Sequence, residues 1–352
     1  MIEEPRPFFK NLIQVGIVVS SLQKSIEKYL DNYGIGPWYV LKFCPDNVSN
    51  MYIQGKRKDY SMNIGVCSIG DIRFELIEPI DESIYSEFHR KYGEGIIHHL
   101  KLQVDNYQDA LRFLKSKGVK VLQSGHQLGK IGKNIYTYLS TANNLGFIAE
   151  IVDVSPDFIK PDPDYWYPDN KGIVLKPIFK RLTQIGIVVE NLQKKVEEYS
   201  EIFGIRPWYI KKYSSNNIRD MHVHGARKDY SINIAFCKIG NLQFKLIEPI
   251  DESIYSEFYE KYGEGVVHHL KMEVENYQDA LGFFKSKGIN VIQSGSYLGK
   301  IKYSYLSTSK DTNFITKIAD INHCIVGKDC VLSASLHEMN FKNRVGDYPL
   351  FE

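Results

Sequence analysis

The chain repeats itself. "FFKNLIQVGIVVSSLQKSIEKY" from Phe8 returns as "IFKRLTQIGIVVENLQKKVEEY" from Ile178, "RKDYSMNI" as "RKDYSINI", and "LIEPIDESIYSEF" returns unchanged at Leu246. The offset is 170 as far as Lys130; a three-residue deletion then makes it 167, so that "YTYLST" at Tyr136 matches "YSYLST" at Tyr303. A duplication of this length requires two domains of one fold. It predicts a first domain over residues 1–154, a linker over 155–175 in the Pro- and Asp-rich "SPDFIKPDPDYWYPDNKG", a second domain over 176–321 and a C-terminal extension over 322–352. The extension has a faint hexapeptide rhythm, too short for a β-helix, and reads as a docking segment.

Inside each copy one pattern occurs twice. "NLIQVGIVV" is an apolar strand, and "SLQKSIEKYLDNYG" is an amphipathic helix with a serine cap and a closing glycine. "MNIGVCSIG" and "IRFELIEPI" form a hairpin. The second round runs "IIHHLKLQV", the helix "NYQDALRFLKSKG", and the strands "KVLQ", "NIYTYLST" and "GFIAEIVDV". The expected class is therefore α+β, with two βαβββ units per copy and four in the chain.

Composition narrows the partners. Lys+Arg total 44 against 42 Asp+Glu, which gives no electrostatic case for nucleic acid or a membrane surface. No apolar run is long enough to span a bilayer. Five scattered cysteines, Cys44, Cys67, Cys237, Cys324 and Cys330, predict a reducing, cytoplasmic location.

Polar residues interrupt strands that otherwise read as apolar. Gln14 stands in "LIQVGIVV", Glu75 between Phe74 and Leu76, the pair His98–His99 in "IIHHLKL", and Glu150 in "GFIAEIVDV". A carboxylate on an apolar strand face is costly unless it is paired or bound to a metal. Glu75 could pair with Arg73 or Lys101. Alternation along a strand sets His98 and His99 on opposite faces, so one of the two is structural. Gln14, Glu75, His99 and Glu150 together offer three oxygens and one nitrogen, a set that suits a divalent ion.

These features resemble the vicinal oxygen chelate superfamily, which includes glyoxalase I, methylmalonyl-CoA epimerase, extradiol dioxygenases and bleomycin- and fosfomycin-resistance proteins. The resemblance rests on the paired βαβββ units, "QVGIVV", "GEGIIHHLKLQV" and "GFIAEIVD", and is nearest the epimerases through "LIEPIDES" followed by "GEGIIHHL". It implies glyoxalase-like modules in which eight strands curl into a cup around one divalent metal. By strand, the implied ligands are Gln14, Glu75, His99 and Glu150. Gln–Glu–His–Glu resembles the set of eukaryotic glyoxalase I, whereas epimerases and dioxygenases often carry histidine first.

In the second copy the equivalents are Gln184, Lys245, His269 and Lys317, and a protonated lysine cannot ligate a metal. Sites built from halves of two modules would each include a lysine. One ion per chain is therefore expected, Zn, Ni, Co or Mn, held within residues 8–153.

The resemblance implies a metal-dependent isomerase or epimerase, or a glyoxalase-type lyase, that abstracts a proton α to a carbonyl, with Glu150 and Glu75 as proton carriers. The alternative is a non-catalytic small-molecule-binding protein of the bleomycin-resistance type. A small carbonyl compound is the expected partner, and the chain is expected to be a monomer with its modules paired or a homodimer. Candidate pocket residues are Trp38 and Tyr39 after the first helix, Arg57, His98, and His126 in a loop after the second helix. The return of "GPWYV" as "RPWYI" favours a structural role for that motif.

Overall fold

The computed structural model describes residues 8–169, 175–240 and 242–320. The first module comprises β1 (Leu12–Val18), α1 (Leu22–Tyr33), β2 (Trp38–Phe43), β3 (Val48–Ile53), β4 (Lys56–Arg57), β5 (Met62–Ile69), β6 (Ile72–Pro79) and α2 (Ile84–Tyr92). It continues through β7 (Ile97–Leu102), α3 (Tyr107–Ser116), β8 (Val121–Leu128), β9 (Lys133–Leu139), α4 (Ala142–Leu145) and β10 (Ile148–Val154), and β11 (Tyr165–Tyr167) follows. The second module repeats the order. Its elements are β12 (Arg181–Val188), α5 (Leu192–Phe203), β13 (Tyr209–Tyr213), β14 (Ile218–Val223), β15 (Ala226–Arg227), β16 (Ile232–Ile239), β17 (Leu242–Pro249), α6 (Ile254–Tyr262), β18 (Val267–Glu273), α7 (Tyr277–Ser286), β19 (Val291–Tyr297), β20 (Ile301–Leu306), α8 (Ser309–Thr312) and β21 (Ile315–Ala319). The fold is α+β, as the repeat pattern predicts.

Helix α1 forms where its sequence says it should. The Ser21 side chain accepts from Lys24 N–H, Gly34 closes the helix at φ 64°, and Leu22, Ile26, Tyr29 and Tyr33 bury one face. Helix α2 is not anticipated by the sequence reading. It begins at Ser83, whose N–H donates to Ser86 Oγ at 2.9 Å, and it buries Ile84, Tyr85 and Phe88.

Strand β1 is the keystone of the first sheet. It runs parallel to β6 and antiparallel to β7. The sheet continues outward on one side through β5 to β2 and on the other through β10, β9 and β8 to β3. Both βαβββ halves of one repeat thus build one curved sheet. Strands β3 and β4, which pair with each other, are additional to the eight expected.

The segment expected to link the modules does more than connect. Strand β11 pairs antiparallel with β2, Tyr165 opposite Val40 and Tyr167 opposite Trp38. Asp164 N–H donates to Val40 O at 2.9 Å, and Lys42 N–H donates to Asp164 Oδ2 at 2.7 Å. Its prolines and aspartates bracket an aromatic "YWY" that finds a free sheet edge.

The modules interlock with approximate two-fold symmetry. Strands β7 and β18 meet antiparallel at Ile97 and Val267. The Tyr29 hydroxyl donates to Thr312 O at 2.6 Å; its counterpart Tyr199 donates to Leu145 O. One hydrophobic core, including Phe9, Tyr33, Phe179, Phe203 and Phe284, runs across both modules on the helix side of the sheets. Another includes Tyr85, Phe88, Tyr138 and Ile148 and their second-module counterparts on the concave side.

Candidate functional site

The site grows from strand register. Across β1 and β7, Gln14 lies opposite Lys101 and Gly16 opposite His99, but Ile17 lies opposite Ile97. His98 is therefore the extra residue of a β-bulge, and alternation breaks at that point. The expectation that the two histidines face opposite ways is overturned. His98 Nδ1 and His99 Nδ1 lie 3.0 Å apart, their rings nearly perpendicular at 87°. His98 sits among Tyr85, Phe88 and Tyr138. Burial, then the neighbouring His99, pushes its proton affinity well below the ordinary histidine range.

The His99 ring lies directly over Gly16. A Cβ at that glycine would stand 1.8 Å from His99 Cε1, so only glycine admits this ring position. His99 is fully buried, and its Nε2 points at both carboxylates, 3.1 Å from Glu150 Oε2 and 3.7 Å from Glu75 Oε2. If His99 Nδ1–H donates to His98, Nε2 carries the lone pair that a metal requires.

Gln14, Glu75, His99 and Glu150, from four different strands, are thus brought together inside one module. With them comes Lys101, two residues beyond His99 on β7. Its ammonium is 3.0 Å from Glu150 Oε1 and donates to Gln14 Oε1 at 3.2 Å. The sequence offers Arg73 or Lys101 as a partner for Glu75; the structure sets the Lys101 ammonium against Glu150 instead.

The two carboxylates are in different states. Burial raises Glu75, against the pull of Lys101 and His99. Burial also pushes Glu150 upward, but Lys101 and His99 together hold it below the ordinary carboxylate value. Glu75 is the more accessible, its side chain 12% exposed against 1% for Glu150.

The donor types fit a divalent ion, and His99 Nε2 and Glu150 Oε2 are buried without a hydrogen-bond partner. A ring nitrogen and a carboxylate oxygen left without partners are what a bound cation would satisfy. Gln14 Nε2 is also unpartnered, but an amide N–H needs an acceptor, and the Gln14 oxygen is taken by Lys101. As the side chains stand, no group of three His, Cys, Asp or Glu among the described residues is spaced to hold a metal. Lys101 already engages two of the oxygens, so an ion binding here must displace its ammonium.

The remaining candidates do not join this cluster. Trp38 is fully buried against Tyr29 on the helix side, its Nε1–H donating to Ile35 O at 2.9 Å. The Tyr39 hydroxyl donates to Pro161 O at 3.0 Å, and its ring meets Trp166 edge-on. Arg57 is exposed, 2.6 Å from Asp59 and bonded to Met51 O. His126 lies in strand β8 rather than a loop, opposite Ser49, with Nδ1 3.0 Å from Asn50 Nδ2.

The sequence reading missed Gly16 and Tyr138, whose ring centroid is 4.9 Å from that of His99. Lys101 is a candidate partner of Glu75 in the sequence, but its two-residue spacing after His99, which places it in the same cluster, is a signal that reading does not use. The expected extension at 322–352 lies outside the described residues.

In the second module the bulge recurs. Gly186 lies opposite His269 and Ile187 opposite Val267, with the two histidine Nδ1 atoms 2.8 Å apart. The carboxylates do not recur: Lys245 and Lys317 occupy their places, both buried.

Residues 13–137 and 183–305 each match the sequence model of the Glyoxalase/Bleomycin resistance protein/Dioxygenase superfamily, well over half of the chain. The chain belongs to this superfamily. Within the superfamily it is similar to the mitochondrial methylmalonyl-CoA epimerase of Mus musculus, 24% identical over 135 residues that make up 38% of this chain and 68% of that one. A Dictyostelium discoideum protein of the same name is 23% identical over 141 residues, 40% of this chain and 76% of its own. Among solved structures, a mutant 4-hydroxymandelate synthase from Streptomyces coelicolor matches with a TM-score of 0.58 at 13% identity, covering 88% of this chain and 92% of that one. That likeness extends the shared fold over both modules. No helix among the described residues is long and apolar enough to cross a membrane.

Proposed function

We propose that the first module is the catalytic one, an isomerase or epimerase that moves a proton α to a carbonyl with a divalent ion held by Gln14, Glu75, His99 and Glu150. The observation that carries this reading is the meeting on His99 of two carboxylates, Glu150 fully and Glu75 largely buried, with His99 Nε2 and Glu150 Oε2 left without a hydrogen bond. Similarity to methylmalonyl-CoA epimerases supports the same chemistry.

A divalent ion held there would supply Lewis-acid polarisation of the carbonyl and offset the negative charge that develops as the proton leaves. Glu75, the more accessible carboxylate and the one with raised proton affinity, takes the proton. In an isomerisation it returns it to the adjacent carbon; in an epimerisation the second carboxylate, Glu150, would supply a proton to the opposite face of the same carbon. Glu150, held ionised in the resting site, would help to hold the cation. His98 fixes the His99 ring from behind, and Tyr85, Phe88 and Tyr138 keep water from that side.

A second reading is favoured by the Lys101–Glu150 pair, which neutralises Glu150 without any metal. It is a metal-free binding protein for small molecules. Metal content after incubation with zinc, nickel, cobalt or manganese separates the two. About one ion per chain is expected, lost in Glu150→Gln, together with deuterium uptake from solvent by a carbonyl substrate. A protein that retains none of the four ions would be the binder instead.

A further inference from the structure

We propose that the second module's cup is an anion-binding site, with Lys245 and Lys317 as its cationic walls and the Tyr213 hydroxyl as a third donor. The ligand is a small anion, either a free inorganic ion or the carboxylate of a small organic acid.

The cavity is lined by Lys245, Lys271 and Lys317 and by tyrosines, and none of its twelve lining residues is acidic. Lys245 is 2% exposed and Lys317 5%. Neither has a hydrogen bond or ion pair among the described residues. Their ammonium groups contact only ring faces, Lys245 over Tyr213 at 5.6 Å and Lys317 over Tyr305 at 5.2 Å. Burying two like charges without a counter-charge is costly.

Elsewhere in the same module, buried Lys195 shows how this fold ordinarily treats such a group. It is paired with Glu198 at 3.1 Å and Glu264 at 3.0 Å and donates to Asn143 O at 2.6 Å. Lys245 and Lys317 lack that arrangement, and an anion between them would supply it.

The tyrosines add direction. The Tyr230 and Tyr303 hydroxyls bond each other at 2.9 Å, and Tyr255 donates to Tyr305 at 2.7 Å. Tyr213 is the exception: its hydroxyl is buried, lines the cavity and has no partner. The equivalent position in the first module is Phe43. Glu75, Glu150 and Phe43 thus correspond to Lys245, Lys317 and Tyr213, and every one of these differences makes the second cup more attractive to negative charge. The cavity volume of about 20 Å³ matches one or two waters, so what fits is a small ion or a carboxylate end.

The test is calorimetric titration of the full chain with chloride, phosphate, acetate and oxalate, in a buffer whose own anion is too large for the cavity. Saturable binding of one anion per chain is expected. It should weaken roughly tenfold or more in Lys245→Met and in Lys317→Met and be unchanged in Glu150→Gln, which keeps it separate from the metal reading. Preference for chloride or phosphate identifies a free ion; preference for acetate or oxalate identifies an organic acid. Near-UV circular dichroism of the variants confirms that the tyrosine-lined module is folded. Wild-type protein that binds none of the four anions overturns the proposal, as does binding that survives in both lysine variants.

Discussion

At the residue scale, the buried lysines of the second module make a statement about stability and pH. Burial first, and Lys271 next, push Lys245 down to about 7. Around it stand Lys271, Lys317, His268, His269 and the cavity tyrosines, with no carboxylate lining the cavity. In the unfolded chain a lysine titrates near 10.4. Between those values the unfolded state binds more protons, so this group's contribution to stability rises with pH and is lost as pH falls from about 10 to about 7. Lys245→Met removes that dependence. The variant should be more stable than wild type at pH 7, and the gap should shrink by about 2 kcal/mol at pH 9, measured by urea unfolding in a buffer free of small anions. Legibility also differs residue by residue. Gln14, Glu75, His99 and Glu150 were readable because each is polar in an apolar strand. Lys101 was harder to place, since a lysine on a strand is ordinarily exposed and its choice between Glu75 and Glu150 depends on β7 lying beside β10. The relation of His98 to His99 was not readable, because the bulge is a property of the β1–β7 pairing and not of β7 alone.

At the element scale, capped amphipathic helices and apolar strands announced themselves, and α1, β1, β5, β6, β7 and β10 appear where the pattern puts them. Helices α2 and α6 did not, because a nine-residue helix after "LIEPIDES" offers little more than two turns of periodicity; its place is fixed by Tyr85 and Phe88 packing on His98. Strand β11 was hidden within a Pro- and Asp-rich stretch. Asp164 grips both sides of residue 40–42 on β2. Asp164→Ala should cost about 1 kcal/mol and speed hydrogen exchange of the Tyr165–Tyr167 and Val40–Lys42 amides. Metal and anion binding should be unaltered, because β11 is bonded to the β2 edge and not to β1, β7 or β10.

At the scale of the whole molecule, duplication made the two-module architecture legible but not how the modules join. The exchange of Tyr29 and Tyr199 across the interface, the shared core and the β7–β18 contact make the two modules one folding unit. Calorimetric unfolding should therefore show a single transition, with tyrosine absorbance and far-UV signals melting together; two separated transitions would mean the modules are energetically independent. The symmetry also has a consequence for reading this chain by mutation. Gly186 bears the same relation to His269 as Gly16 does to His99, a Cβ in either place coming within 1.8 Å of the ring. Only Gly16 lies beneath carboxylates. A survey of tolerated substitutions would flag both glycines and both histidine pairs equally, and so would record the load-sharing of the scaffold. The chemistry of each cup is written elsewhere, at positions 75 and 150 and their counterparts 245 and 317, where the two halves of the chain have parted company.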